Sequence, residues 1–229
     1  MIMVRIKATL RHMNIPLNDL NAKVPVKGLA TWQLGFRPFF FCASLYAVVA
    51  MLLWLGIRHG LHFSGLNYYG VNLWHAHEMV FGYGLAVIAG FLLTAIKNWT
   101  GVPTAAHGKL KLLTLLWFLG RVVAFVPAIP HIAIALTDVL FSLVLIYFIA
   151  QPLVKVGNKR NYKMIVLVSL FATMNVLTHT MLLIKQPLYA TQMTGTALFL
   201  MLLLIGVMAG RVFPMFSQNG VDIKYKAQV

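Results

Sequence analysis

Ile132-Ala133-Ile134-Ala135-Leu136-Thr137-Asp138-Val139-Leu140-Phe141-Ser142-Leu143-Val144-Leu145-Ile146-Tyr147-Phe148-Ile149-Ala150 runs for nineteen residues with a single charge, Asp138. As an α-helix it spans about 28 Å, close to the ~30 Å hydrocarbon core of a bilayer. A backbone in lipid finds no water for its amides, so a segment of this kind is helical. Five further apolar stretches lie outward from it, at 39–57, 79–96, 112–126, 165–184 and 189–210. The stretch at 112–126 is short and is expected to run on toward Pro130. The fold class expected is all-α, an integral membrane bundle of about six transmembrane helices. A basic segment 1–38 precedes the transmembrane domain 39–214, and a short tail 215–229 follows it.

Composition agrees. Of 229 residues, 60% are apolar and 10% charged, with a mean hydropathy of +0.82, whereas soluble domains carry about 25% charged residues. The net charge of +15 comes from 19 Lys and Arg against Asp19, Glu78, Asp138 and Asp222. Such a balance raises the question of nucleic acid, but the basic residues sit in short segments between apolar runs, as in proteins that meet anionic headgroups. No nucleic-acid partner is expected. One cysteine, Cys42, rules out an internal disulfide, and no Cys-x-x-Cys-His is present, so any haem is non-covalent.

Orientation follows from alternate connections. The N-terminal segment carries Arg5, Lys7, Arg11, Lys23, Lys27 and Arg37. On the same side fall Lys97, Lys109 and Lys111, then Lys155, Lys159, Arg160 and Lys163, then Arg211, Lys224 and Lys226. The other side has Arg58 and Lys185, and Arg121 lies within the third span. The positive-inside bias places both termini in the cytoplasm. The first apolar run begins near Phe39, after a basic and polar stretch, so no cleavable signal peptide is expected. Ile2, Ile6, Leu10 and Met13 recur at helical spacing, which suits either a basic helix on the inner leaflet or a disordered tail. Gly82, Ala86 and Gly90, and Gly206 with Gly210, are spaced for close helix packing, and the second pair is a candidate for a homodimer seam.

Candidate chemistry lies with the histidines. His12 and His107 fall on the basic side, while His59, His62, His75, His77, His131 and His179 fall at the other end. In Trp74-His75-Ala76-His77-Glu78-Met79, two imidazoles, a carboxylate and a thioether bunch at the outer mouth of the second span. Imidazole is the commonest metal ligand, and thioether sulfur favours Cu(I). At ~100° per residue His75 and His77 diverge by about 200°, so two sites are expected, or one histidine in the loop. His75 shares a face with Glu78 and Met79, where Glu78 could orient the ring. His179 lies about 9 Å below the outer end of the fifth span, where a polar ring needs a partner. His131 is a further candidate ligand. Arg121 and Asp138 both sit about 8–10 Å deep in an antiparallel hairpin and are expected to pair, with a haem propionate as the rival partner of Arg121.

Five segments in order resemble one family: Gly35-Phe36-Arg37-Pro38-Phe39-Phe40, Trp74-His75-Ala76-His77-Glu78-Met79, Ala89-Gly90-Phe91-Leu92-Leu93-Thr94-Ala95, Asn98-Trp99-Thr100-Gly101 and Gly210-Arg211-Val212-Phe213-Pro214. The pattern resembles the NnrS family of bacterial inner-membrane proteins over about residues 35–220. The resemblance implies b-type haem and copper, a role in nitric oxide metabolism, denitrification and nitrosative-stress resistance, and a bacterial inner-membrane location. With the residue reading, it puts haem or copper on His75, His77 and His179, with Glu78 orienting the ligands, Arg121 beside a haem propionate, and His131 and Met79 as further metal ligands. Family members are about twice this length, with around twelve spans, and the chain matches the N-terminal half, as expected of a truncated gene, a short paralogue, or half of a homodimer or of a complex whose partner supplies a second half. No catalytic residue is assigned. Two other functions fit the residues. A transporter or channel for a metal ion or small solute would use the same histidines as an entry path, gated by Arg121 and Asp138, although no paired Gly/Pro interruptions mark broken helices. A non-catalytic subunit of a larger complex is the other.

Overall fold

The computed structural model describes residues 30–220, and every regular element among them is helical. The basic segment through residue 29, with His12, and the end of the tail beyond residue 220 lie outside the described residues. In chain order the helices are α1 (Phe36–Arg58), a single turn α2 (Leu66–Tyr69), α3 (Val71–His77), a π-helical segment Glu78–Gly84, α4 (Leu85–Thr100), α5 (Gly108–Val122), α6 (His131–Lys155), α7 (Tyr162–Leu183) and α8 (Pro187–Gly220). The helix α3, the π segment and α4 run on as one span.

Five spans are long and apolar enough to cross a membrane: Phe36–Arg58, Val71–Thr100, His131–Lys155, Lys159–Leu183 and Pro187–Pro214. The chain is a multi-pass membrane helical bundle. The remaining expected span, α5, is shorter, at 15 residues or about 23 Å. It does not run on to Pro130. A 3₁₀ turn at Val123–Phe125 ends it, and Val126 is extended at φ −78°, ψ 122°. Pro127 is the cause, because a proline bars the α conformation from the residue before it.

The second span is the centre of the bundle. Its apolar window is 67% buried within the protein, against 22% for α1 and 17% for α8, which present most of their surface to lipid. Four of the five sequence segments singled out above rest on the α4 half of this span, while residues 74–79 lie at its opposite end. The Phe36 N–H donates to Thr94 Oγ1 at 3.1 Å, and a Cβ on Gly35 would lie 2.5 Å from Leu93 Cβ, so the start of α1 rests on the middle of α4. At the far end of α4, Gly101 takes φ 68° and its N–H closes the helix on Lys97 O at 2.9 Å. This left-handed cap explains the glycine of Asn98-Trp99-Thr100-Gly101. The Arg211 guanidinium then stacks on Trp99 at 5.2 Å.

Among the apolar residues, two clusters form. The larger runs through Phe39, Phe81, Leu92, Phe141 and Phe171, and the smaller gathers Tyr68, Tyr69, Trp74 and Ala190. The π segment between α3 and α4 adds a residue to one turn, and its glycines make room for this. A Cβ on Gly84 would meet Met201 Sδ of α8 at 2.4 Å, and the Gly82 carbonyl, turned aside, accepts from Trp117 Nε1 of α5 at 2.9 Å. Trp117→Phe keeps the ring and strands that buried carbonyl. The expected loss is about 1–3 kcal/mol, read by SDS titration in mixed micelles.

Candidate metal centre

Polar and ionisable side chains from several helices gather in one buried cluster. His77, Glu78, Arg121, Asp138, Asn175 and His179 are all at most 5% exposed. They come from α3, the π segment, α5, α6 and α7, so the site is assembled from helices distant in sequence. Arg121 is its brace. Nη1 pairs with Glu78 Oε2, and Nη2 pairs with Asp138 Oδ1. Tyr46 of α1 donates its O–H to the same Glu78 oxygen. A fork of two N–H-bearing nitrogens suits a guanidinium and no other side chain. The pairing of Arg121 with Asp138 is therefore present, and it leaves Arg121 engaged on both sides.

The second oxygen of Asp138 faces the histidines. His179 Nε2 lies 3.1 Å from Oδ2 and His77 Nε2 3.3 Å from it, while Asn175 Nδ2 donates to it at 2.9 Å. One ligand atom each from His77, Asp138 and His179 falls within 4.8 Å of the others. A four-coordinate ion with bonds of about 2.0–2.1 Å sets its ligands roughly 3.3 Å apart, which matches the separation of Oδ2 from both nitrogens.

His77 shows what the cluster lacks. Its Nδ1 faces Glu78 Oε1 at 3.4 Å, and its Nε2 faces Asn175 Oδ1 and Asp138 Oδ2, both at 3.3 Å. All three partners are acceptors, because the Asn175 amide nitrogen is already committed to Asp138. A neutral imidazole carries one N–H and satisfies only one side. Either an imidazolium, or Nδ1–H on Glu78 with a cation at Nε2, satisfies both. Charge says the same, since Glu78 and Asp138 outweigh Arg121 by one negative charge in a water-poor interior.

On the far side, Tyr68 O–H lies 3.0 Å from His179 Nδ1. Burial raises the phenols of Tyr68 and Tyr69 above their ordinary values, so both stay protonated. Tyr68 can donate to Nδ1 when Nε2 carries the proton, or accept from Nδ1–H when Nε2 binds a metal. The rings of Tyr69 and Phe81 flank His77 at 4.9 and 5.0 Å, one from each apolar cluster, so the site sits where the two clusters join.

The other sequence candidates lie elsewhere. His75 and His77 are both helical and do diverge. His75 stacks on Trp54 at 4.3 Å, and its buried Nδ1 has no hydrogen-bond partner. The expectation that Glu78 orients His75 is corrected, because the Glu78 carboxylate is taken up by His77, Arg121 and Tyr46. Met79 packs against the larger apolar cluster. His131 sits at the start of α6 with its ring 4.9 Å from Tyr68, lining a pocket of about 440 Å³ with Tyr69 and Lys185. Asn175, Tyr46 and Tyr68 escaped the sequence reading. Only Asn175 left a signal there, as a polar residue one turn before His179 in an apolar span.

The NnrS protein family model matches residues 30–229. The chain belongs to the NnrS family. No curated protein and no solved structure matches it. Three of the family-like segments supply this NnrS chain's central span, and His77 and Glu78 of Trp74-His75-Ala76-His77-Glu78-Met79 are the part that enters the buried cluster.

Proposed function

We propose that this NnrS-family chain holds one copper ion on His77 Nε2, His179 Nε2 and Asp138 Oδ2, and acts in nitric oxide metabolism or nitrosative-stress resistance at the bacterial inner membrane. The convergence of these three donor atoms carries the reading. Two imidazoles with a carboxylate suit copper, which heads the divalent affinity order. Glu78, Tyr68 and Asn175 would orient the ligands, and Arg121 would hold the other Asp138 oxygen. Copper would supply a redox-active centre that binds nitric oxide.

A haem does not fit between His77 and His179. Asp138 and Asn175 fill the gap between the two inner imidazoles, whose rings lie 5.1 Å apart, so no planar macrocycle passes between them. Arg121 is spent on two carboxylates and is not left for a propionate. Access suits a small lipid-soluble substrate. A groove of about 320 Å³ between α1 and α5, lined by Cys42, Leu45, Val49, Phe118 and Phe125, ends on Tyr46 and Arg121.

The excess of Lys and Arg at one end supports both termini in the cytoplasm, with residues 39–214 as one transmembrane domain. A second copy or a partner would complete the assembly, and Gly206 and Gly210 meet nothing within 4 Å where a Cβ would stand, which leaves that face open to one.

The detergent-purified chain, loaded with copper and washed, is expected to retain about one copper per chain, with an electron paramagnetic resonance signal that nitric oxide alters. His77→Ala and His179→Ala are each expected to lower retention at least about tenfold, while His75→Ala and His131→Ala keep it. Copper retained in both inner-histidine variants, or none in the wild type, would overturn the reading. A Soret band in the purified chain would restore haem to it.

A further inference from the structure

A second polar pocket lies at the other end of the bundle, and the metal site makes no use of it. It has a volume of about 350 Å³ and is lined by Trp99, Asn158, Arg160, Asn161 and Arg211. Its walls are tied together. Arg211 Nη1 donates to Asn161 Oδ1, Asn161 Nδ2 donates to Asn158 Oδ1 at 3.1 Å, and Asn158 Nδ2 reaches the Trp99 carbonyl at 3.4 Å. Asn161 is 5% exposed, and the Arg211 guanidinium carbon lies over the Trp99 ring, 5.2 Å from its centroid. The indole and the amides thus hold one guanidinium in place at the pocket wall, with Arg160 on the same cavity.

Two guanidiniums line this cavity with no carboxylate between them. Among the described residues the only carboxylates are Glu78 and Asp138, and both are engaged in the buried cluster with Arg121. Like charges brought together on an ordered wall are stabilised by an anion, and the planar fork of arginine matches a phosphate in particular. The surroundings narrow the source. Trp99 sits at the end of a spanning helix, where indoles mark the headgroup level, and Lys97, Lys155, Lys159 and Lys163 belong to the same end of the bundle. Anionic phospholipids are concentrated in the leaflet that such an end faces.

We propose that Arg160 and Arg211, backed by Trp99 and Asn161, form a binding site for a phosphate group, supplied by the headgroup of an anionic phospholipid. The site orders the connection between α6 and α7 against the ends of α4 and α8, and it accounts for the tryptophan of Asn98-Trp99-Thr100-Gly101 and the arginine of Gly210-Arg211-Val212-Phe213-Pro214, which the metal centre leaves unexplained.

Native mass spectrometry of the full chain, titrated with phosphatidylglycerol or phosphatidylcholine, tests it. One phosphatidylglycerol is expected to stay bound per chain at concentrations where phosphatidylcholine does not. Arg160→Gln and Arg211→Gln should each weaken that binding about tenfold, as loss of one charged hydrogen-bond donor predicts. The double change Lys155→Gln with Lys163→Gln, which removes charge from the same end outside the pocket, should leave it unchanged. A parallel thermal scan with inorganic phosphate separates the sources. Stabilisation by phosphate that both arginine variants abolish, with no preference between the two lipids, would keep the phosphate site and overturn the lipid. Equal phosphatidylglycerol and phosphate binding in wild type and Arg160→Gln, or a loss equally large in the lysine control, would overturn the site. Arg160 is exposed, so its variant reads the pocket even where Arg211→Gln fails to fold.

Discussion

Arg121→Met is expected to destabilise the bundle by about 3–5 kcal/mol, the largest loss of any single substitution in this chain. The side chain is 5% exposed and is the only cation among the described residues that neutralises Glu78 and Asp138. Removing it leaves two buried carboxylates facing two histidines, and the membrane interior offers neither water nor counter-ion. Two companion variants separate charge from geometry. Arg121→Lys keeps the charge but reaches only one carboxylate at a time, so it should fall between wild type and Arg121→Met. Arg121→Met combined with Asp138→Asn lowers the uncompensated charge by one, so the pair should cost less than the sum of the two single changes. SDS titration followed by circular dichroism reads the wild type and the four variants, Asp138→Asn alone included. If Arg121→Met matched the wild type, the pairing would not be structural, and Arg121 would be free for the propionate role that the sequence left open.

The sequence carried five of its six spans well, because lipid leaves an apolar run of about 20 residues one conformation. It also carried the depth match of Arg121 with Asp138, since the connection between their helices is short and charges at equal depth in a hairpin have little else to meet. The cluster itself was less legible. Helical geometry correctly separated His75 from His77, but which of them faces inward depends on how the second span is rotated against α5, α6 and α7. An ideal helix put Glu78 with His75. The π segment that starts at Glu78 changes the register by one residue, and nothing at 78–84 beyond Gly82 and Gly84 announces it. The sequence offers Asp138 as a counter-ion or a gate with Arg121, yet its two oxygens serve different partners, Arg121 on one side and both imidazoles on the other. A division of that kind belongs to three-dimensional placement and has no periodicity to betray it. Tyr46 shows the same limit, because a tyrosine in an apolar helix is common, and only the position of Glu78 gives its hydroxyl a task.

Gly82→Ala is expected to abolish most copper retention while leaving the helices formed. A methyl group at Gly82 would stand 2.6 Å from Glu78 Oε2, 2.7 Å from Arg121 Nη1 and 2.9 Å from Tyr46 Cε1. Each separation is below contact distance, so something must move. All three atoms belong to the hydrogen-bonded brace behind the ligands, and none of them is the loose end of a flexible side chain. In an ordinary exposed helix the same change stabilises by about 1 kcal/mol, because alanine loses less backbone freedom than glycine. Gly206→Ala and Gly210→Ala, where a Cβ meets nothing within 4 Å, should show that sign. At Gly82 overpacking of about 1–3 kcal/mol opposes it. The displacement of Glu78 also reaches the metal through His77, whose Nδ1 then loses the acceptor that fixes its tautomer. Copper per chain in Gly82→Ala, compared with Gly206→Ala at matched circular dichroism, gives the answer. Equal copper in the two would mean that the brace yields without moving His77, and would separate the packing of the second span from the chemistry at its mouth.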